Sequence, residues 1–248
     1  MLTSERKMHL LNLLREHGRI VAKTVADQLA LSEDTIRRDL RELANDGMLM
    51  RVHGGALPAS PSVVTLDKRR FMSTAEKQKL GKLGAELISK AATVFIDGGT
   101  TNLEVVRALS LNTKAHIFTH SPTIAAELVQ YSGHVTIIGG RLDQHSMVAV
   151  GAVALNTIMR LRIDLFLVGA TGFHSEEGLT TGNEEEAAMK QAISAQAAET
   201  IALLTSDKLG TVSRHLIIKP EELSAIGIVG EAKITEGPEL LTRIIRAV

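Results

Sequence analysis

Between Thr93 and Leu204 the chain carries five short apolar runs: Thr93-Val94-Phe95-Ile96, Ile117-Phe118-Thr119, Val135-Thr136-Ile137-Ile138, Leu165-Phe166-Leu167-Val168 and Ile201-Ala202-Leu203-Leu204. Helical stretches separate most of them. Strands that are apolar almost without interruption must be covered on both faces, which is the pattern of a mostly parallel sheet with helices on either side. The expected fold class is therefore α/β, with a Rossmann-like sheet preceded by the amphipathic helix Thr74 to Lys90, in which Leu80, Leu83, Leu87 and Ile88 recur at helical spacing.

In such sheets ligands bind beyond the carboxyl ends of the strands, and polar or glycine-rich clusters fall at those ends here. Asp97-Gly98-Gly99-Thr100-Thr101 follows the first strand and opens a helix. Glycines let a backbone approach an anion, free helix amides point at it, and threonine hydroxyls add donors. The same run is also compatible with a plain tight turn. It lacks the Lys-Ser/Thr ending of a P-loop and the spacing of a dinucleotide fingerprint, so neither nucleotide hydrolysis nor NAD is expected. Thr119-His120-Ser121, Gly139-Gly140-Arg141, Gly169 to Gly172, Gly178 to Gly182 and Asp207-Lys208 occupy comparable places.

The amino-terminal part reads differently. Ser32 precedes a helix whose first turn holds Glu33 and Asp34, a cap followed by acids at the positive end of the helix dipole. At about 100° per residue, Leu40 and Leu43 fall within about 40° of Ile36 and form a narrow inward stripe, while Asp34, Arg38 and Arg41 lie opposite and Arg37 lies on the flank. Lys23 to Ala30 forms a shorter helix one tight turn upstream, and Glu5 to His17, ending at Gly18, supplies a third. Met48 to Gly55 reads as a hairpin wing. The spacing predicts a winged helix-turn-helix whose second helix lies in a DNA groove.

The run Ser32-Glu33-Asp34-Thr35-Ile36-Arg37-Arg38-Asp39-Leu40, followed by Arg51-Val52-His53-Gly54-Gly55-Ala56, resembles the DeoR family of bacterial transcriptional regulators. The likeness extends through the Asp97 turn and the segment Gly178, Asn183 and Glu186 to Lys190, covering nearly the whole chain. It implies a DNA-binding domain at 1–57, a linker at 58–73 and a sugar-phosphate-binding effector domain at 74–248, with a fold shared with sugar-phosphate isomerases. Pro58, Ser60, Pro61 and Ser62 mark the linker independently. Implied DNA contacts are Ser32, Asp34, Thr35, Arg37, Arg38 and Arg41, with Arg51 and His53 of the wing on phosphates. Implied effector contacts are Gly98, Gly99, Thr100 and Thr101 around the phosphate, Lys208 neutralising it, Asp97, Asn183 or Glu186 on sugar hydroxyls, and Thr119, Ser121, Gly139 and Gly140 nearby. Glu186 and Lys190, four apart, are equally compatible with an exposed ion pair.

Three departures from the family pattern stand out. Val21 replaces a polar cap before the shorter helix, a change costing about 0.5–2 kcal/mol. His120 stands where Asn is common, which bears on sugar recognition. Gly227-Ile228-Val229-Gly230 lacks the usual acid.

Composition narrows the rest. The 248 residues carry no net charge, but residues 1–70 hold 12 Lys and Arg against 9 Asp and Glu, and the remainder 16 against 19, so the positive charge is local to the DNA-reading part. Without cysteine, disulfides and thiolate metal sites are excluded. Tyr131 is the sole tyrosine and tryptophan is absent, which disfavours single-strand stacking and leaves duplex DNA. No apolar run approaches the about 18 residues of a membrane span, and the early charges do not suit a secretory signal, so a cytoplasmic protein without membrane contact is expected. Among the nine histidines, His116 and His120 are four apart, but along a strand that separation is about 13 Å. No metal site or other cofactor is expected.

The functional expectation is a regulator, a repressor of a carbohydrate catabolic operon, that binds operator DNA as a homodimer or larger even assembly and answers to a phosphorylated sugar or polyol. The alternatives are a sugar-phosphate isomerase or deaminase fused to a DNA-binding module and an architectural DNA protein without an effector.

Overall fold

The computed structural model describes residues 2–60, 71–230 and 243–247. Three helices, α1 (Thr3–His17), α2 (Ala22–Leu29) and α3 (Glu33–Asn45), form the amino-terminal unit with strands β1 (Ile20–Val21), β2 (Met50–Val52) and β3 (Gly55–Leu57). Ile36, Leu40 and Leu43 of α3 pack with Leu10, Leu14, Val25 and Ala26 into a separate core. Each fully buried aliphatic side chain contributes about 1.5–3 kcal/mol, and this shared core fixes the helix pair. The wing is a three-stranded sheet in the order β1-β3-β2. The two-residue strand β1 is not legible in the sequence, and it answers the missing cap. Val21 makes no side-chain cap bond to α2, but the Ala22 amide donates to Gly54 O at 2.9 Å. Gly55 permits that pairing, because a Cβ there would meet Ile20 O at 1.7 Å.

The second unit is built on a seven-stranded sheet. Its elements are α4 (Thr74–Ile88), β4 (Thr93–Ile96), α5 (Thr100–Ala108), β5 (His116–Thr119), α6 (Pro122–Glu127), β6 (Val135–Ile137), a hairpin of β7 (Arg141–Asp143) and β8 (Val148–Val150), α7 (Ala152–Ile158), β9 (Ile163–Val168), β10 (Gly172–His174), β11 (Gly178–Thr181), α8 (Glu184–Ala195), β12 (Ala197–Leu203), β13 (His215–Ile218), β14 (Ala225–Val229) and β15 (Arg243–Ala247). The main sheet runs β15-β14-β12-β9-β4-β5-β6, and every neighbouring pair in it is parallel. Phe95, Phe166 and Val168 enter one core, while Val94, Ile96, Leu165 and Leu167 enter the other. Burial of alternate residues on opposite faces is why the runs read as continuously apolar.

From β4 the chain moves outward through β5 and β6, then returns to place β9 on the other side of β4. The ends of β4 and β9 therefore flank a topological switch point, where open α/β sheets bind ligands. Two small additions were not foreseen from the sequence: the β7–β8 hairpin and the antiparallel sheet β10-β11-β13. Both stand beside that switch point.

Of the linker expected over 58–73, residues 61–70 lie outside the described residues. Pro58 to Ser60 are not a free tether. Ser60 N donates to Val212 O at 2.9 Å and Val212 N to Pro58 O at 3.1 Å, and the Ser60 hydroxyl donates to Thr171 O. No helix among the described residues is long and apolar enough to cross a membrane.

Candidate functional site

Helix α3 begins as its sequence dictates. Ser32 Oγ accepts from the Thr35 amide at 3.2 Å and bonds the Thr35 hydroxyl at 2.8 Å, so both side chains form the cap. Asp34, Arg37, Arg38 and Arg41 are exposed along one side, and Arg51 and His53 are exposed on the wing. Arg37 is held by Glu33, with Nη2 at 2.7 Å and Nε at 2.9 Å from Oε1. Among the described residues Arg38 and Arg41 have no ion-pair partner. Two guanidinium groups thus project from a helix whose other side is locked in the core, the arrangement needed to read guanine edges in a major groove.

The lock includes a pair that the sequence reading missed. Asp39, 1% exposed, and Arg6, 7% exposed, form a buried two-bond ion pair, with Nη2 to Oδ1 at 3.1 Å and a closer contact between Nε and Oδ2. The signal was present: at about 100° per residue Asp39 lies about 60° from Ile36, beside the apolar stripe, and Arg6 falls about 40° from Leu10. A charge on an inward arc requires a buried partner.

Over the ends of β4, β9 and β12 opens a cavity of ≈ 410 Å³. Gly98, Gly99, Thr100, Thr101, Asn183, Glu186 and Lys208 all line it. Gly99 sits at φ 124°, a backbone state that a side chain would strain, and there it caps α5. Asn102 pins this turn to both central strands, donating from Nδ2 to Asp97 O and Leu167 O, each at 3.0 Å. The amides opening α5 therefore face the cavity in fixed positions. Among the described residues, the buried hydroxyls of two cavity-lining residues, Thr101 Oγ1 and Thr205 Oγ1, have no hydrogen-bond partner. A buried polar atom left unsatisfied costs about 1–3 kcal/mol.

Asp97, expected to face sugar hydroxyls, is not among the residues that line the cavity. It is fully buried, and four donors occupy its carboxylate: the Gly98 amide at 2.7 Å and His120 Nε2 at 2.8 Å on Oδ1, and the Gly169 amide at 2.8 Å and Lys190 Nζ at 2.7 Å on Oδ2. Burial raises its pKa, but the Lys190 charge and the His120 hydrogen bond outweigh it and hold the carboxyl well below the ordinary carboxylate range. His120 is equally enclosed, its Nδ1 at 2.9 Å from Ala149 O. Both ring nitrogens lie against acceptor oxygens. The departure at His120 lies outside the cavity lining, bonded to Asp97.

Nor do the remaining expected residues reach the cavity wall. Thr119 Oγ1 accepts from the Ser121 amide at 3.1 Å, and Ser121 caps α6 and donates to Met147 O at 3.2 Å. Gly139 and Gly140 also lie outside the lining. Glu186 and Lys190 are not an exposed pair. They are 7% and 5% exposed, 3.6 Å apart, and Lys190 also donates to Gly169 O at 2.9 Å. Asn183 caps α8, accepting from the Glu186 amide at 3.1 Å. His116 bonds Thr136 Oγ1 at 2.8 Å and stacks on Phe118. Among the described residues no cluster of three acidic or imidazole side chains could hold a metal.

The wall also holds residues the sequence reading did not select: Lys77, Ser146, Thr205 and Arg214. They arrive from α4, the β7–β8 turn and the loop after β12, which periodicity does not bring together. Lys77 carried a signal, since it lies three residues before Leu80 on the inward face of α4.

Residues 72–228 match the DeoR C terminal sensor domain, and residues 6–61 match the DeoR-like helix-turn-helix domain. The chain belongs to the DeoR family. This DeoR-family regulator is 33% identical over 225 residues to the HTH-type transcriptional regulator GlpR of Haloferax volcanii, covering 90% of this chain and 88% of that protein. It is 28% identical to the glycerol-3-phosphate regulon repressor of Escherichia coli, over 91% of this chain and 89% of that one. It is 29% identical to the HTH-type transcriptional repressor GlcR of Bacillus subtilis, over 91% and 88%. A ribose 5-phosphate isomerase from Methanocaldococcus jannaschii aligns with 54% of the chain and 53% of its own, at 16% identity and a TM-score of 0.39. The DeoR-family chain is a DNA-binding transcriptional regulator with a sensor domain, and its curated relatives are regulators, not enzymes.

Proposed function

We propose that this regulator represses a carbohydrate catabolic operon, reads its operator with Arg38 and Arg41, and is controlled by a phosphorylated sugar or polyol bound beside the Gly98–Thr101 turn. The observation that carries the effector reading is the pair of buried hydroxyls of two cavity-lining residues, Thr101 Oγ1 and Thr205 Oγ1, which have no partner among the described residues. A tetrahedral anion offers acceptor oxygens for both hydroxyls and for the α5 amides at once. Charge supports the same class of ligand: Lys77, Lys190, Lys208 and Arg214 line the cavity against Asp207 and Glu186. The repressor names of the relatives from E. coli and B. subtilis support the direction of control.

In this reading residues 1–57 form the DNA-binding unit, 58–73 the connection and 74–248 the effector unit, in a protein of the cytoplasm. A helix-turn-helix normally reads two half-sites about 34 Å apart, or a multiple of that, which calls for a two-fold symmetric partner. We therefore assign a homodimer or larger even assembly, to be measured by sedimentation. The chain's own operator, labelled and titrated with protein, tests the rest. Phosphorylated sugars and polyols are compared with their unphosphorylated parents for the rise in melting temperature and the change in operator affinity. One phosphorylated compound moving both, with its parent inert, is the expected result. Equal behaviour of every phosphate and its parent would remove the effector assignment.

A further inference from the structure

The cavity does not belong to the sensor domain alone. Ala44 at the end of the reading helix α3, Gly47 in the turn that follows, and Leu49 and Met50 at the start of the wing line the same space as Gly99 and Thr101. Contacts away from the cavity hold the two units in this arrangement. Arg19 Nη1 lies 2.7 Å from Glu176 Oε2. Pro58 to Ser60, directly after the wing, pair in parallel with Val212. Val212 lies in the loop after β12, and that loop also carries Thr205, Lys208 and Arg214 to the cavity. One loop therefore faces the ligand space on one side and grips the foot of the DNA-reading unit on the other.

We propose that the effector site is shared by both domains: the ligand is enclosed between the sensor's Gly98–Thr101 turn and the Ala44–Met50 turn of the DNA-reading unit, and touches both. This rests on the effector assignment above. The sensor side supplies amides, hydroxyls and cations. The reading-unit side supplies Ala44, Gly47, Leu49 and Met50, none of them charged, so the part of the ligand facing it is neutral, as the carbon and hydroxyl end of a phosphorylated polyol is. Ligand and operator then act on one movable body, and their affinities must be coupled reciprocally.

Charge placed on the reading-unit wall tests the proposal, with inorganic phosphate as the probe and the full chain as the protein. Binding is read as the phosphate-dependent rise in melting temperature. Ala44→Glu and Met50→Glu are expected to weaken phosphate binding at least five-fold, and Met50→Lys to strengthen it. Met8→Glu, the same charge change at an exposed position of α1 away from the cavity, is expected to stay within two-fold of the parent. The opposed Met50 variants keep the test intact if Ala44→Glu folds poorly. Phosphate affinity unchanged within two-fold in Met50→Glu and Met50→Lys would overturn the shared site while leaving the sensor's own phosphate site standing. Failure of phosphate to raise the melting temperature of the parent chain would overturn the effector assignment and this proposal with it.

Discussion

Lys190 Nζ lies 2.7 Å from Asp97 Oδ2, joining the turn after β4 to α8 beside the cavity over the strand ends. Both side chains are buried, and removing one partner leaves the other as an uncompensated charge, at a cost of about 3–5 kcal/mol. Asp97→Asn is therefore expected to lower stability by about that amount in a chemical denaturation experiment. Asp97→Asn combined with Lys190→Met is expected to recover part of the loss, because the ammonium facing the lost carboxylate is gone while Glu186, 3.6 Å from Lys190, gives up its partner. A double variant no more stable than Asp97→Asn would show that the pair does not carry the effect.

The same carboxylate sets an acid limit. Its folded-state pKa is lowered, and the unfolded value is about 3.9. Stabilisation from Asp97 is thus fully present above the unfolded value and is lost as pH falls through the folded one, since the unfolded chain binds the proton first. Melting temperature measured from pH 6 downward is expected to fall below about pH 4, and Asp97→Asn is expected to flatten that limb. An unchanged slope in Asp97→Asn would assign the acid sensitivity to other groups.

Two arginines of the reading unit separate structure from recognition. Arg6 faces Asp39 inside the unit and touches no DNA-facing surface, whereas Arg38 is exposed beyond the core. Arg6→Ala leaves a buried carboxylate unpaired and is expected to unfold the unit at a cost of about 3–5 kcal/mol, abolishing operator binding through stability. Arg38→Ala is expected to keep the melting temperature and lose about 1–3 kcal/mol of operator binding, with relaxed preference at one base pair. Calorimetry beside fluorescence anisotropy distinguishes them. Loss of both properties in Arg38→Ala would place that residue in the fold.

Much of this was legible in the residues. The unbroken apolar runs Val94 to Ile96 and Leu165 to Val168, and the capped stripe of Ile36, Leu40 and Leu43, were enough for the sheet and the reading helix, because local apolar patterning records which faces are covered. The glycine turn at Gly98 and Gly99 was legible for the same local reason. What escaped depends on distant chain segments meeting. Asp97 reads as a ligand group in the sequence, but Lys190, His120, Gly169 and Gly98 all donate to its carboxylate. Thr205 and Lys77 reach the cavity only through the packing of α4 against the loop after β12, where Ser206 N donates to Glu76 Oε2 at 2.8 Å. Val212 gave no sign that it holds the DNA-reading unit.

Thr101 offers a test in which stability and binding move in opposite directions. Its hydroxyl is buried without a partner among the described residues, so in the ligand-free protein it is a desolvated group that returns nothing. Thr101→Val keeps the β-branched shape and removes the polar atom, and by the cost of an unsatisfied buried group it is expected to be neutral to about 1–3 kcal/mol stabilising. The same change removes a donor to the ligand. A hydrogen bond to a charged oxygen contributes about 1.5–3 kcal/mol, so binding of a phosphorylated effector is expected to weaken by about ten-fold or more. Thermal denaturation with and without ligand reads both quantities in one experiment. Destabilised free protein with undiminished ligand response would mean that the hydroxyl has an internal partner and plays no part in holding the anion.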